Sequence, residues 1–257
     1  MQSKVTRMQR QEFNQLLNDI LKPHSIKDFC PNGLQVEGKN EIKKIVTGVT
    51  ASQALIDAAI DEQADAILVH HGYFWKGESQ PITGMKKRRI GALLANDINL
   101  FAYHLPLDIH PEIGNNAQLA KLLDIEIQTG LEPVANSVAK KGYLKTPLNG
   151  DEFAAKIAKV LNRTPLTSLV RTSKIHTIAL CTGGGQGYID LAAEQGIDAY
   201  LTGEASEQTI HSSREQNIDF FAAGHHATER YGIKALGELL AKEYGFEVSF
   251  IDIDNPV

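Results

Sequence analysis

A chain of 257 residues, 42% hydrophobic and 22% charged, has the balance of a soluble globular protein and the length for one large domain or two modest ones. A net charge of -5 and a pI near 6.0 give no global basic signature for nucleic acid, which leaves only local patches to weigh. The two cysteines, Cys30 and Cys181, stand far apart and outside any C-x-x-C, which disfavours a disulfide scaffold or thiolate zinc site and leads us to expect a reducing, cytoplasmic setting.

The first twenty residues are polar and amphipathic without a secretory h-region, and no apolar run reaches membrane-spanning length. No segment is of low complexity, and no internal repeat of fixed period is visible. Thr6 and Gln9 have capping-box spacing ahead of Phe13, Leu16, Leu17, Ile20 and Leu21, whose helical recurrence stops before Pro23. A turn-rich stretch from Cys30 passes into a short extended run ending at Val36. Residues 42–50 read as a strand, 51–63 as a helix, and 66–71 as a second strand, a β-α-β unit that argues for parallel pairing. A helix near 89–96 precedes the strand Leu100-Phe101-Ala102-Tyr103, and Gly114-Asn115-Asn116 opens a helix over 117–123 with Asn as its N-cap. The pattern loosens over 125–144, so a boundary is placed there, dividing the chain into 1–128 and 129–257. Beyond it come a helix over 152–161, a strand over 175–182, a strand ending at Glu204 and a helix carrying His211. Last, Phe220-Phe221-Ala222-Ala223 feeds a long helix with Ile233, Leu236, Leu239 and Leu240 on its core face.

Ligand-type residues gather where these strands stop. His70 and His71 end one strand; adjacent side chains of an extended strand point to opposite faces, but a turn at Gly72 can bring both rings together. Neutral imidazole is the commonest metal-ligating side chain, and open α/β sheets place their sites at strand carboxyl ends. The competing reading is a His pair that only orders its loop. The next strand leads to His104 and then to Asp108 and His110 on a non-helical loop, where a turn-capping Asp and a surface His are the plainer alternatives. A third cluster follows Gly224. There His225 and Glu229, four apart, project from one helix face, and His226 with Glu229 is also geometrically open. The alternative is an N-terminal Glu stabilised by the helix dipole beside an unrelated His pair. Five candidate ligands, His70, His71, Asp108, His225 and Glu229, exceed the three or four that one zinc takes, and carboxylates can bridge, so two metal ions are the economical explanation. Nitrogen and oxygen donors suit zinc, iron, manganese, cobalt or nickel alike.

Two further features invite a phosphate. Gly183-Gly184-Gly185-Gln186-Gly187 is a glycine-rich strand-to-helix turn, but it lacks the P-loop Lys-Ser/Thr, and a tight structural turn is the stronger reading. Lys86-Lys87-Arg88-Arg89 is most simply a solvated face, although cations at a helix N-terminus oppose its dipole.

The segments Asn32-Gly33-Leu34-Gln35-Val36, His70-His71-Gly72, His104-x-Pro106-Leu107-Asp108 and Gly114-Asn115-Asn116, with Thr182-Gly183-Gly184, Thr202-Gly203-Glu204 and Gly224-His225-His226-x-x-Glu229, span nearly the whole chain. Together they resemble the NIF-three-like family, also catalogued as GTP cyclohydrolase 1 type 2 homologues. The resemblance implies two α/β domains with the metal site at strand carboxyl ends, a dinuclear centre whose ligands fall on the same five residues, and a toroidal homohexamer. Some relatives carry an inserted middle domain, and this chain matches the short form. The cyclohydrolase label is a catalogue name and does not establish that reaction.

Two function classes follow. One is a metal-dependent hydrolase of a small nucleotide-like or heterocyclic substrate, in which His104 or Glu204 moves the proton or supports a ligand. The other is a non-catalytic metal-binding ring that binds or clamps a nucleic acid or protein partner.

Overall fold

A computed structural model describes residues 6–257. It forms two α/β units, one running up to Leu107 and resumed by Ile233–Asp254, the other made of Asp108–Gly232 and Asn255–Val257. The first contains β1 (Met8–Gln9), α1 (Arg10–Leu21), β2 (Gly33–Val36), β3 (Glu41–Ile42), β4 (Lys44–Thr50), α2 (Gln53–Asp61), β5 (Ala66–His71), α3 (Gly84–Ala95) and β6 (Asn99–Ala102). Helix α4 (Leu105–Ile109) carries the chain across the division. The second contains α5 (Asn115–Leu122), β7 (Ile125–Gly130), β8 (Lys140–Leu148), α6 (Gly150–Leu161), β9 (Leu166–Ser168), β10 (Ile175–Cys181), α7 (Ile189–Glu194), β11 (Ala199–Thr202), α8 (Glu207–Gln216) and β12 (Asp219–Ala222). Helix α9 (His225–Tyr244) and strand β13 (Glu247–Phe250) lead back to the first unit.

In the first unit the apolar runs of β4, β5 and β6 pair in parallel at the centre of a sheet ordered β13-β4-β5-β6-β2, with β2 antiparallel on the edge. Strands covered on both faces read as continuous apolar runs, and Ile45, Val46, Ile67, Leu68, Leu100 and Phe101 are accordingly fully buried. Leu55, Ile56, Ile90 and Leu93 from α2 and α3 join the same core, each worth about 1.5–3 kcal/mol of apolar burial. The second unit's sheet, β7-β8-β10-β11-β12-β9, has the same parallel centre in β10, β11 and β12.

Several expectations change. Beside the boundary expected at 128/129, the chain passes between the two units at Leu107/Asp108 and again at Gly232/Ile233, and the loosened stretch over 125–144 enters the antiparallel pair β7–β8, which joins the second sheet. Thr6 and Gln9 form no capping box: Met8–Gln9 pairs with Glu41–Ile42, and Gln9 sits extended at the α1 N-cap with no side-chain capping bond, its Oε1 accepting from the Asn40 amide instead. The N-cap of α5 is Gly114, since Asn115 and Asn116 are buried and spend their amides elsewhere.

A topological repeat is present that no fixed sequence period announces. The order α1-β2-β4-α2-β5-α3-β6 recurs as α6-β9-β10-α7-β11-α8-β12, each with its short antiparallel edge strand beside the last parallel one. The polar fastenings recur with it. Asp65 accepts the backbone N–H groups of Lys43 and Lys44 at 3.0 Å each, and Asp198 those of His176 and Thr177 at 2.9 Å each. At the start of the third parallel strand, Asn99 accepts from Gly38 N–H, and Asp219 from those of Val170 and Arg171. Unequal loops between these points erase any constant period.

Candidate metal centre

His70 and His71 are the last residues of β5, and their ring centroids come to 4.4 Å of one another. Gly72 assists through close packing: a Cβ there would stand 2.2 Å from Gln35 Oε1 and 2.5 Å from the Ala102 Cβ. Buried His70 donates Nδ1–H to the Tyr103 carbonyl at 3.0 Å, while His71 Nδ1 lies 3.2 Å from Thr50 Oγ1. His104 follows β6 and joins them, with its centroid 5.2 Å from His70 and 5.8 Å from His71. The three imidazoles each offer a ligand atom within 4.8 Å of the others. Nδ1 is engaged in every ring, an arrangement that fixes the orientation of each imidazole.

Asp28 orders His104, and sequence reasoning missed it. Its carboxylate accepts His104 Nδ1–H at 2.7 Å, Leu105 N–H at 2.9 Å, Phe29 N–H and the Asn32 side-chain amide. Burial, the largest single influence, works to raise this carboxyl, but His104, Asn32 and Phe29 together hold it below its ordinary value. An acid in a turn-rich stretch reads as a solvated turn former; the spacing to Asn32 was the sole hint. Cys30 is close to Asp28 and His104, and burial with the Asp28 charge pushes its thiol up to about 12.

In the second unit Asp108 lies in α4, not on the non-helical loop expected, and is buried. Its Oδ1 accepts from the Asn115 amide at 2.9 Å and Thr182 Oγ1 at 3.2 Å. His225 is the first residue of α9, and its Nε2 stands 3.1 Å from Glu229 Oε2, one turn on. This contact is the His225 and Glu229 pairing that the i, i+4 spacing offered. Glu204 takes His225 Nδ1–H at 2.6 Å, which fixes the orientation of that ring. Burial works to lower the His225 pKa, but Glu229 and Glu204 overcome it and push it up to about 9. Asp108 and Glu229 bring carboxylate oxygens within 4.8 Å of one another. Two ionised carboxylates that close repel by about 3.5 kcal/mol at an effective dielectric of 20, and a divalent cation reverses the sign. Gly183, at φ +67°, makes room for this group, since a Cβ would sit 2.1 Å from Glu229 Oε1.

A family model described as Duf34/NIF3 (NGG1p interacting factor 3) matches residues 8–256. The chain belongs to the DUF34/NIF3 family. Among DUF34/NIF3 relatives, a Haemophilus influenzae protein named GTP cyclohydrolase 1 type 2 homolog is 67% identical over 250 residues, covering 97% of this chain and all of its own. A solved structure described as protein ybgI, unknown function, superposes with a TM-score of 0.94 at 55% identity, over 97% of this chain and 100% of that one. Another, from Thermus thermophilus, gives 0.88 at 33% identity with the same coverage.

The other features of this DUF34/NIF3 chain settle as structural. In the glycine turn, Gly183 N–H is taken by Thr228 Oγ1 at 3.0 Å and Gly185 N–H by Thr202 Oγ1 at 3.1 Å, so neither points at an anion. Lys86 turns away from the basic run towards Glu78, at 3.2 Å, and the Ser79 carbonyl, at 3.0 Å, leaving Lys87 and Arg88 exposed. His110 Nδ1 accepts the N–H groups of Glu112 and Ile113, the mark of a turn former. Among the described residues no helix is long and apolar enough to cross a membrane.

Proposed function

We propose that the chain binds two divalent metal ions through His70, His71, Asp108, His225 and Glu229, and hydrolyses a small nucleotide-like or heterocyclic substrate. The observation that carries the metal reading is the close pair of His70 and His71 at the end of β5, with Nδ1 of one ring on the Tyr103 carbonyl and Nδ1 of the other beside Thr50 Oγ1. The two buried carboxylates of the second unit, given room by Gly183, add the negative charge that divalent ions require. When bound, the ions supply Lewis acidity and an activated water. His104, held by Asp28, moves the proton, and Glu204 fixes the ring of His225. The hydrolytic part draws on the name of the relatives and on a donor set of nitrogen and oxygen without thiolate. The reading includes assembly as a homohexamer. It is tested by a hydrolase screen on metal-defined protein, comparing nucleotides, pterin precursors, phosphoesters and amides. Turnover that disappears on chelation supports it; metal-replete protein that turns over none of these and binds nucleic acid tightly sinks it.

A further inference from the structure

Strands β7 and β8 and the segment around α4 and α5 line a cavity of about 280 Å³ within the second unit. Its walls include Asp108, His110, Asn116, Thr129 and Lys140. Lys140 is half-buried and donates to the Ser137 carbonyl at 2.7 Å, but forms no ion pair among the described residues. Burial is the largest influence on this ammonium and pulls its pKa below the ordinary lysine value, against a smaller opposing effect of Cys181. A cation held partly out of water without a counter-charge is unfavourable unless something supplies that charge. The neighbouring polar groups are committed otherwise. Asn116 spends its amide on the Asp108 and Val138 carbonyls and its oxygen on Thr182 N–H. Asp108 is 4% exposed and holds Asn115 and Thr182. His110 accepts the Glu112 and Ile113 N–H groups at Nδ1. Asn116 and Ala117 belong to the first turn of α5, whose dipole favours negative charge.

We propose that this cavity binds the phosphate or carboxylate group of a small molecule, with Lys140 as its counter-charge. The volume lies just below the range of whole small-molecule sites, so it suits an oxyanion and a short extension of it. Because Asp108 is both a cavity wall and a metal ligand in the reading above, the inference deepens that reading, on which it rests for the role of substrate: the hydrolase would take an acidic one.

The test is calorimetric titration of the full chain, metal-loaded and chelator-stripped, with inorganic phosphate, pyrophosphate and acetate. Wild type is compared with Lys140→Met and Lys140→Arg, with metal content measured in each. The expected result is binding of at least one anion, weakened about tenfold or more in Lys140→Met, largely retained in Lys140→Arg, at unchanged metal content. Phosphate against acetate then identifies the anion class. Should Lys140→Met fail to fold, Lys140→Gln provides the neutral comparison. Equal affinity in wild type and the neutral variant, or no binding of any probe at millimolar concentration, overturns the proposal. Binding that survives loss of the Lys140 charge but vanishes on stripping assigns the anion to the ions, overturning the cavity while the metal reading stands. Lys140-dependent binding by a chain that takes up no divalent ion on loading keeps the cavity and sinks the metal reading.

Discussion

Replacing Gly183 by Ala should empty the metal centre, whereas the same change at Gly184 should not. At Gly183 the φ of +67° lies in the left-handed region, where an L side chain costs about 1–2 kcal/mol. The new Cβ would also stand 2.1 Å from Glu229 Oε1 and 3.0 Å from His225 Nε2, where ordinary contact begins near 3.4 Å. The Glu229 carboxylate must therefore retreat by more than an ångström, several times the roughly 0.2 Å within which ligand distances hold. At Gly184 a Cβ would meet Gln186 Oε1 and the Glu204 carboxyl at 3.8 Å, ordinary contact, with no left-handed φ. Elemental analysis should show Gly183→Ala losing at least one ion per chain, and its Tm falling by roughly 2–8 °C from backbone strain alone. Gly184→Ala should match wild type within about 0.5 kcal/mol. A Gly183→Ala protein with wild-type metal content and Tm would refute the placement of Glu229 against this turn.

Asp108→Asn and Glu229→Gln, nearly isosteric, should each lose at least one ion per chain while keeping their circular dichroism; full metal content in both sinks the carboxylate assignment. His104→Gln should keep two ions but lose roughly 10²–10⁴-fold in turnover, read by elemental analysis beside the hydrolase assay. Chelation should lower Tm by roughly 5–10 °C if ions had been present at a hundred times Kd, and an unchanged melt counts against tight binding. Burial works to raise the Asp198 carboxyl, but the Thr177 and His176 N–H groups and Arg171 outweigh it and hold its pKa below the ordinary carboxylate value. A depressed folded pKa contributes stability that is present above the unfolded value and lost as pH falls through the folded one. Asp198→Asn should thus cost about 1–3 kcal/mol at neutral pH and flatten the loss of stability below about pH 4, a slope denaturant titrations measure.

Much of the fold was legible because its signals are local. The buried parallel strands carry uninterrupted apolar runs, and the helix read over 152–161 is the body of α6 (Gly150–Leu161). What escaped depends on partners far away in sequence. Asn115 looked like an N-cap but is held by Asp108 and Gly232, and β7–β8 looked like a linker because its exposed face carries polar residues. At the site, ligand residue types at strand ends were visible, as was the spacing of His225 and Glu229. The support was not: Asp28 reaches His104 across 76 positions and Thr182 reaches Asp108 across 74. No window on the sequence joins them.

The repeated topology accounts for where the candidate imidazoles stand within each unit. In each unit the third parallel strand ends beside an imidazole whose Nδ1–H is fixed by a carboxylate of that same unit, Asp28 for His104 and Glu204 for His225. The acids come from different places, one ahead of the edge strand β2 and the other just beyond β11. What the two share is chemical: a carboxylate at Nδ1 fixes the orientation of each ring and raises its basicity. Only the strand end is common to both units, because that is where a parallel sheet releases its backbone and lets side chains converge.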